Sequence, residues 1–239
     1  MNSLDVYIGY DSAQDTSINY PNIVNPPYQV TRRSIIDNHQ NTDVTINIHA
    51  IKMNEQIRDG RYWRPRDLKA SSEFTYTRFL VPHLNKYKGT AIFCDSDFLW
   101  NCDITDMLQY HDSRFSVMCV KHDYIPKHMN KMDGKLQCVY PRKNWSSMMI
   151  FNCDHEDCRS LTLQNVNNMT PRWLHRMEWT DDNNIGSIPR EYNWLEGEYE
   201  VIDNPQAIHY TNGGPWHRTW SGDYEDQWDA VAQRCLYRL

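Results

Sequence analysis

The chain contains no apolar run approaching 18 residues, so nothing in it reads as a membrane-spanning helix. It lacks an excess of positive charge. With 25 Lys and Arg against 31 Asp and Glu the net charge is −6, and no basic stripe points to nucleic acid. The acidic residues form no like-charged tail. The first residues, Met1-Asn2-Ser3-Leu4-Asp5, offer neither a basic patch nor an apolar core, so no secretory leader is expected. There is no internal repeat and no low-complexity tract. The 7 cysteines are odd in number. Cys153 and Cys158 flank His155, but the spacing fits no zinc pattern and no second pair exists. Reduced thiols in a cytoplasmic protein are therefore expected.

What is present is enough chain for a large core. The 239 residues suit one domain spanning 1–239. Aromatic residues are plentiful, with 9 Trp and 15 Tyr. Their faces pack cores, and they also stack on sugar rings and bases.

Strand and helix signals alternate. Leu4 to Tyr10 reads as a first strand, ending in Gly9 and Asp11. Ser12 to Pro27 reads as a loop. Val30 to Asn38 reads as a helix, and Asp43 to Ile51 alternates as a second strand. Ser71-Ser72-Glu73 followed by Phe74 to Leu84 reads as an N-capped helix. Strands are expected at Ala91–Cys94, Phe115–Val120 and Trp145–Asn152, with a short one at Val201–Ile202. Helices are expected at Asp103–Tyr110, Leu161–Met169 and Pro171–Trp179. His122 to Pro141 reads as polar loop, and Ile185 to Leu195 as mostly irregular. Ala207 to Trp216 reads as a strand running into a glycine-rich turn. The pattern gives an α/β fold: a mixed, mainly parallel sheet flanked by helices, with an irregular C-terminal third.

The run from Ile92 to Trp100, IFCDSDFLW, carries most of the chemistry. A buried strand delivers Asp95 and Asp97 at its end, where ligands of α/β sheets usually sit. Two acids there suit a hard divalent cation, Mg²⁺ or Mn²⁺, that keeps positions open for phosphate. The alternative is a turn in which Asp97 or Asp103 caps the next helix. Gly9 and Asp11 fit either a nucleotide contact or a simple turn. Arg78 lies among Phe74 and Phe79, an unusual place for a guanidinium unless it reaches an anion. A surface ion pair is the other reading.

Taken in order, VYIGYD, SSEFTYTRFLVP, IFCDSDFLW, WSSMMIFN, IGSIPREYNWL and HYTNGGPW resemble the nucleotide-sugar glycosyltransferases of the GT-A fold, and most of all glycosyltransferase family 8. The resemblance covers about Leu4 to Trp216. It implies a transferase that moves a hexose from a UDP-sugar to a hydroxyl acceptor (a glycan, a lipid-linked sugar or a protein) with retention at the anomeric carbon. It implies Asp95, Asp97 and His209 as metal ligands. It places Gly9 and Asp11 at the uracil, and Arg78 and Ser96 beside donor sugar and phosphate. It further places Asn152 in the strand that lines the sugar pocket, as a candidate catalytic residue, and Asp181 and Asp182 next to the anomeric carbon. The family's phosphate-binding lysine before Pro-Trp is missing here. Gly213 and Gly214 could supply backbone amides instead, helped by His217 or Arg218. Two other readings remain open at this stage. A nucleotidyltransferase would want a glycine-rich, lysine-bearing loop after the first strand, where this chain has one glycine and no lysine. A non-enzymatic carbohydrate-binding protein would not need Asp95, Asp97 and His209 together.

Overall fold

The computed structural model describes residues 3–68, 70–127 and 140–236. The part of the expected polar loop that falls at 128–139 lies outside them. Nine strands are described: β1 (Ser3–Tyr10), β2 (Thr45–Lys52), β3 (Thr90–Cys94), β4 (Phe98–Trp100), β5 (Val117–Cys119), β6 (Met148–Asn152), β7 (Ile185–Ser187), β8 (Trp194–Leu195) and β9 (Ala207–His209). Six of them form the main sheet in the order β2-β1-β3-β6-β5-β7, and β4-β9-β8 form a second, smaller sheet. In the main sheet β1 pairs parallel with β2 and β3, and β5 with β7. Only β6 runs against its neighbours β3 and β5.

The inner strands β3, β6 and β5 of the main sheet are covered on both faces, which is why they are apolar throughout, whereas the edge strand β2 alternates. One face carries Tyr7, Phe93, Met149, Phe151, Val117 and Cys119, packed against Phe74, Phe79 and Leu80. The other carries Val6, Ile8, Ile92, Cys94, Ile150 and Met118, packed with Ile35 and Trp100. A third cluster lies away from the main sheet. There Leu99, Ile208 and Tyr210 of the small sheet and its turn meet Val30, Trp216, Trp228 and Val231. Much of the tryptophan content therefore serves core packing.

Several elements differ from the sequence reading. The first helix, Pro26–Asn38, begins at the two prolines that read as loop. Asn25 in the left-handed region caps it, its side chain accepting from the Tyr28 N–H, and proline at the first helical positions forfeits no hydrogen bond. The expected helix from Ser71 to Leu84 is broken into Phe74–Thr77, a 3-10 turn at Arg78–Leu80, and Val81–Leu84. Pro82 lacks the N–H that would bond the Arg78 carbonyl in a continuous helix, and the Val81 N–H takes that carbonyl instead. Asp103–Tyr110 is a 3-10 helix at Ile104–Tyr110, capped by Asp103. Val201–Ile202 forms no strand. A C-terminal helix, Glu225–Cys235, buries Trp228, Val231 and Ala232, and its sequence signal was not read. The described cysteines are free thiols, and His155 caps a 3-10 turn between two of them. No described helix is long and apolar enough to cross a membrane.

Candidate active site

Parallel β1 and β3 end at the same edge of the main sheet, in the register Ile8↔Cys94. Antiparallel β6 begins at that edge, with Met148 opposite Cys94. The edge opens into a cleft of about 510 Å³. Asp11, Phe74, Arg78, Asp95, Ser96, Asp97, Ser146, Ser147, His209 and Gly213 are among the residues that line it.

The two acids sit where the chain leaves the main sheet for the small one. The Asp95 N–H donates to the Ser147 carbonyl at 2.8 Å, the last tie to β6. Two residues later the Tyr210 N–H donates to the Asp97 carbonyl at 2.9 Å, the first tie to the strand that carries His209. Antiparallel pairing of β4 with β9 then puts Phe98 opposite His209. The imidazole stacks on the Phe98 ring at 4.5 Å and 17°. One ligand atom from each of Asp95, Asp97 and His209 lies within 4.8 Å of the others, the one such group of metal-ligating side chains among the described residues.

The orientation of His209 follows from its neighbours. Its ring is 2% exposed, and Nδ1 lies 3.0 Å from Oδ1 of fully buried Asn193. The Asn193 amide is itself oriented: Nδ2 donates to Ser147 Oγ at 2.8 Å, and the Ser147 hydroxyl donates to the Asn144 carbonyl at 2.7 Å. Ser147 Oγ has no second proton to give, so Asn193 must present its oxygen to His209. Nδ1 then carries a proton, and Nε2 faces Asp97 Oδ1 at 3.3 Å. Two carboxylates with one imidazole are a donor set suited to Mn²⁺ or Mg²⁺. Asn193 was inside a segment noted for its motif, but a lone asparagine carries no signal for this role.

Arg78 reaches an anion, as its apolar surroundings suggested. It is 5% exposed, and Nη1 lies 2.7 Å from Asp95 Oδ1 and donates to the Ser146 carbonyl at 2.8 Å. His175 also lines the cleft and was not read from sequence. Burial, then the charges of Arg78 and Arg64, push it down to about 3, so it is neutral at physiological pH. Its Nδ1 lies 3.0 Å from Ser146 Oγ.

Other expected site residues fall elsewhere. Gly9 does not line the cleft. A Cβ there would meet the Phe74 ring at 2.5–2.8 Å, so the glycine makes room for that ring. Asp11 does line it, capping the next turn through the Ala13 N–H at 3.0 Å. Asn152 pairs with Thr90, at the far end of β3 from Asp95, and its amide donates toward the carbonyls of Ser113 and Phe115. The cause is strand direction: antiparallel β6 offers its start to the cleft, so Ser146 and Ser147 take that place. Asp181 caps the turn before β7 by accepting from the Asn183 N–H at 2.8 Å. Asp182 has a 77% exposed side chain paired with Arg142 at 2.6 Å. Neither lines the cleft. Gly213 does, at φ 109, but its N–H already donates to the Tyr210 carbonyl at 3.0 Å. Gly214 does not line the cleft, and the Trp216 ring packs where its Cβ would be, at 2.2 Å.

No family model matches the sequence. Protein CDI of Arabidopsis thaliana is 41% identical over 229 residues, covering 93% of this chain and 83% of the relative. The chain belongs to the Protein CDI family. Solved structures extend the comparison to the fold. The bifunctional glycosyltransferase WbbM matches with a TM-score of 0.65 at 15% identity, over 97% of this chain and 50% of its own. This CDI-family chain thus spans about half the length of WbbM. The galactosyltransferase LgtC, solved with donor and acceptor sugar analogues, matches with a TM-score of 0.56 at 12% identity, over 96% of this chain and 95% of its own. The glycosyltransferase GlyE of Streptococcus pneumoniae matches with a TM-score of 0.59 at 14% identity, over 97% and 61%. The fold of the CDI-family chain is therefore the GT-A-type fold of these glycosyltransferases, as its motif order implied.

Proposed function

We propose that the chain is a metal-dependent glycosyltransferase that moves a hexose from a UDP-sugar to a hydroxyl acceptor, with retention. The observation that carries the proposal is the convergence of Asp95, Asp97 and His209 on the cleft, with His209 Nε2 facing Asp97. Asp95, Asp97 and His209 would hold the ion. A divalent ion bound there supplies the charge that offsets a departing diphosphate. Arg78 fixes Asp95 from behind and adds a buried positive charge beside the same phosphates. Asp11 lies along the sheet edge from the acids, where a base would be met.

Retention fits the acids available. The described carboxylates lining the cleft are Asp11, Asp67, Asp95 and Asp97. Asp95 and Asp97 are assigned to the ion, Asp67 is held by the Tyr76 hydroxyl, and Asp11 caps a turn. None is placed as a base for the acceptor, so the departing phosphate oxygen takes the acceptor's proton. The test is a panel of nucleotide sugars with Mn²⁺, scored by free-nucleotide release. Release of UDP from one of them supports the reading. Release of pyrophosphate, or of nothing under any donor, overturns it. With a donor in hand, a β-linked product from an α-linked donor overturns retention.

A further inference from the structure

The Asn193 amide that orients His209 has bonding capacity left over. It is fully buried, with Nδ2 donating to Ser147 Oγ and Oδ1 facing His209 Nδ1. An amide offers two N–H donors and two lone pairs, so one of each is still open. Buried polar groups normally find partners. His122, just past β5, has the converse need. It falls in a stretch that reads from sequence as polar loop, yet it is 7% exposed. Its Nδ1 lies 2.7 Å from the Tyr199 hydroxyl, and its Nε2 is buried with no hydrogen-bond partner among the described residues. Burial pushes the imidazole down to about 3, with nearby His209 adding to the fall and the Asn193 amide opposing it. The ring is therefore neutral at physiological pH, and it lies within reach of both residues' influence. Whichever of its nitrogens holds the proton, Asn193 has the complement: a spare N–H for a bare Nε2, a spare lone pair for a protonated one.

His122 is itself held firmly. Its N–H donates to the Val120 carbonyl at 3.0 Å, and Trp145 Nε1 donates to its own carbonyl at 2.9 Å. The Tyr199 ring that meets it packs edge-on against Trp194 at 5.1 Å, and the Tyr199 N–H donates to the Leu195 carbonyl at 3.0 Å. Trp194 and Leu195 form β8, which pairs with β9 in the register Leu195↔His209. The small sheet thus ties Tyr199 to the same strand that carries His209. A path from His209 across β8 to Tyr199 returns through His122 to Asn193. A closed path of this kind restrains a ring more than a chain with a loose end, because no member moves without disturbing its neighbours on both sides.

We propose that His122 is a positioning residue: it steadies the Asn193 amide and, through it, the ring of His209. The proposal rests on the metal-site reading above and adds to it an outer residue that touches neither ion nor donor. The test is a double-mutant cycle with Asn193→Ala, read by Mn²⁺ titration under electron paramagnetic resonance and, in metal-free protein, by solvent exchange of the His209 Nδ1–H under NMR. His122→Phe should weaken Mn²⁺ about 10-fold, the low end of the range for outer partners of metal ligands. It should also speed exchange of the His209 proton. His122→Gln, which keeps a polar group on the ring's side of Asn193, should recover most of both. In the Asn193→Ala background His122→Phe should add little, because its effect passes through the missing amide. A lower Tm with unchanged Mn²⁺ affinity and unchanged His209 exchange would show a residue that only packs, and would overturn the proposal. Fully additive losses in the double variant would overturn it too. Should His122→Phe not fold, Tyr199→Phe takes its place: it should weaken Mn²⁺ and speed the exchange to a smaller extent, and wild-type values for both would sink the idea. Wild-type protein that takes up no Mn²⁺ brings down the parent reading, and the exchange of the His209 proton then decides the positioning role by itself.

Discussion

Asn193→Ala is the substitution that asks most of the site geometry. Asn193 is fully buried between His209 Nδ1 and Ser147 Oγ, at 3.0 and 2.8 Å. Truncation leaves the Nδ1–H without its acceptor, and a buried donor left unmade costs about 1–3 kcal/mol. In a domain of this size that lowers Tm by roughly 2–12 °C. The larger effect is on the ion. With no acceptor at Nδ1 the ring is free to move its proton to Nε2, the atom that faces Asp97, and to tilt on Phe98. Loss of such an outer hydrogen bond typically weakens metal affinity 10- to 100-fold. Mn²⁺ titration followed by electron paramagnetic resonance measures this directly, and ¹⁵N NMR of the histidine ring reports the tautomer. Val231→Ala, in the separate cluster around Trp228, serves as a control for destabilisation and should leave Mn²⁺ affinity alone. A folded Asn193→Ala protein with wild-type Mn²⁺ affinity would refute the relay from Asn144 through Ser147 and Asn193 to His209.

Asp95→Ala, Asp97→Ala and His209→Ala should each abolish Mn²⁺-dependent UDP binding. The double variants should lose little more than the singles, because one ion is shared; additive losses measured by calorimetry would argue against a common ion. Asp181→Asn and Asp182→Asn should leave kcat within about threefold, since neither residue lines the cleft. A fall of roughly 10²–10⁴ relieved at high pH would instead mark one of them as a general base. Glu196 gives a stability prediction. Burial pushes it up to about 7, with the charges of Asp223 and Glu198 adding to the rise, while the Asp223 N–H opposes it. The folded state then holds a proton that the unfolded chain releases near pH 4.5, so stability is lost as pH rises from about 4.5 through 7. Glu196→Gln should therefore raise stability by roughly 1–2 kcal/mol at pH 8 and by nothing at pH 4.5, allowing for partial solvation. Denaturant melts at the two pH values check this, and a gain of equal size at both would contradict it.

Local pattern in the sequence carried the main sheet. Apolar runs at Leu4–Tyr10, Ala91–Cys94 and Trp145–Asn152 marked strands buried on both faces, and such a signal needs no partner to be read. The same holds for Asp95 and Asp97, fixed in place by the strand that precedes them, and for Arg78, whose apolar neighbours implied an anion. Strand direction was not legible. Nothing local distinguishes a parallel from an antiparallel strand, so the motif that placed Asn152 in a strand of the sugar pocket did not show that pairing with Thr90 puts that residue at the end of β6 away from Asp95. Gly9 and Gly214 were legible as glycines but not for their reason, because the rings they admit, those of Phe74 and Trp216, become neighbours only in the folded chain or its turn. The orientation of His209 is likewise tertiary, since it depends on hydrogen bonds running from residue 144 through 147 and 193 to 209. Sequence thus determined which residues could do chemistry. Only the folded chain decided which of them meet, because hydrogen bonds between distant segments set their orientation and leave no local pattern.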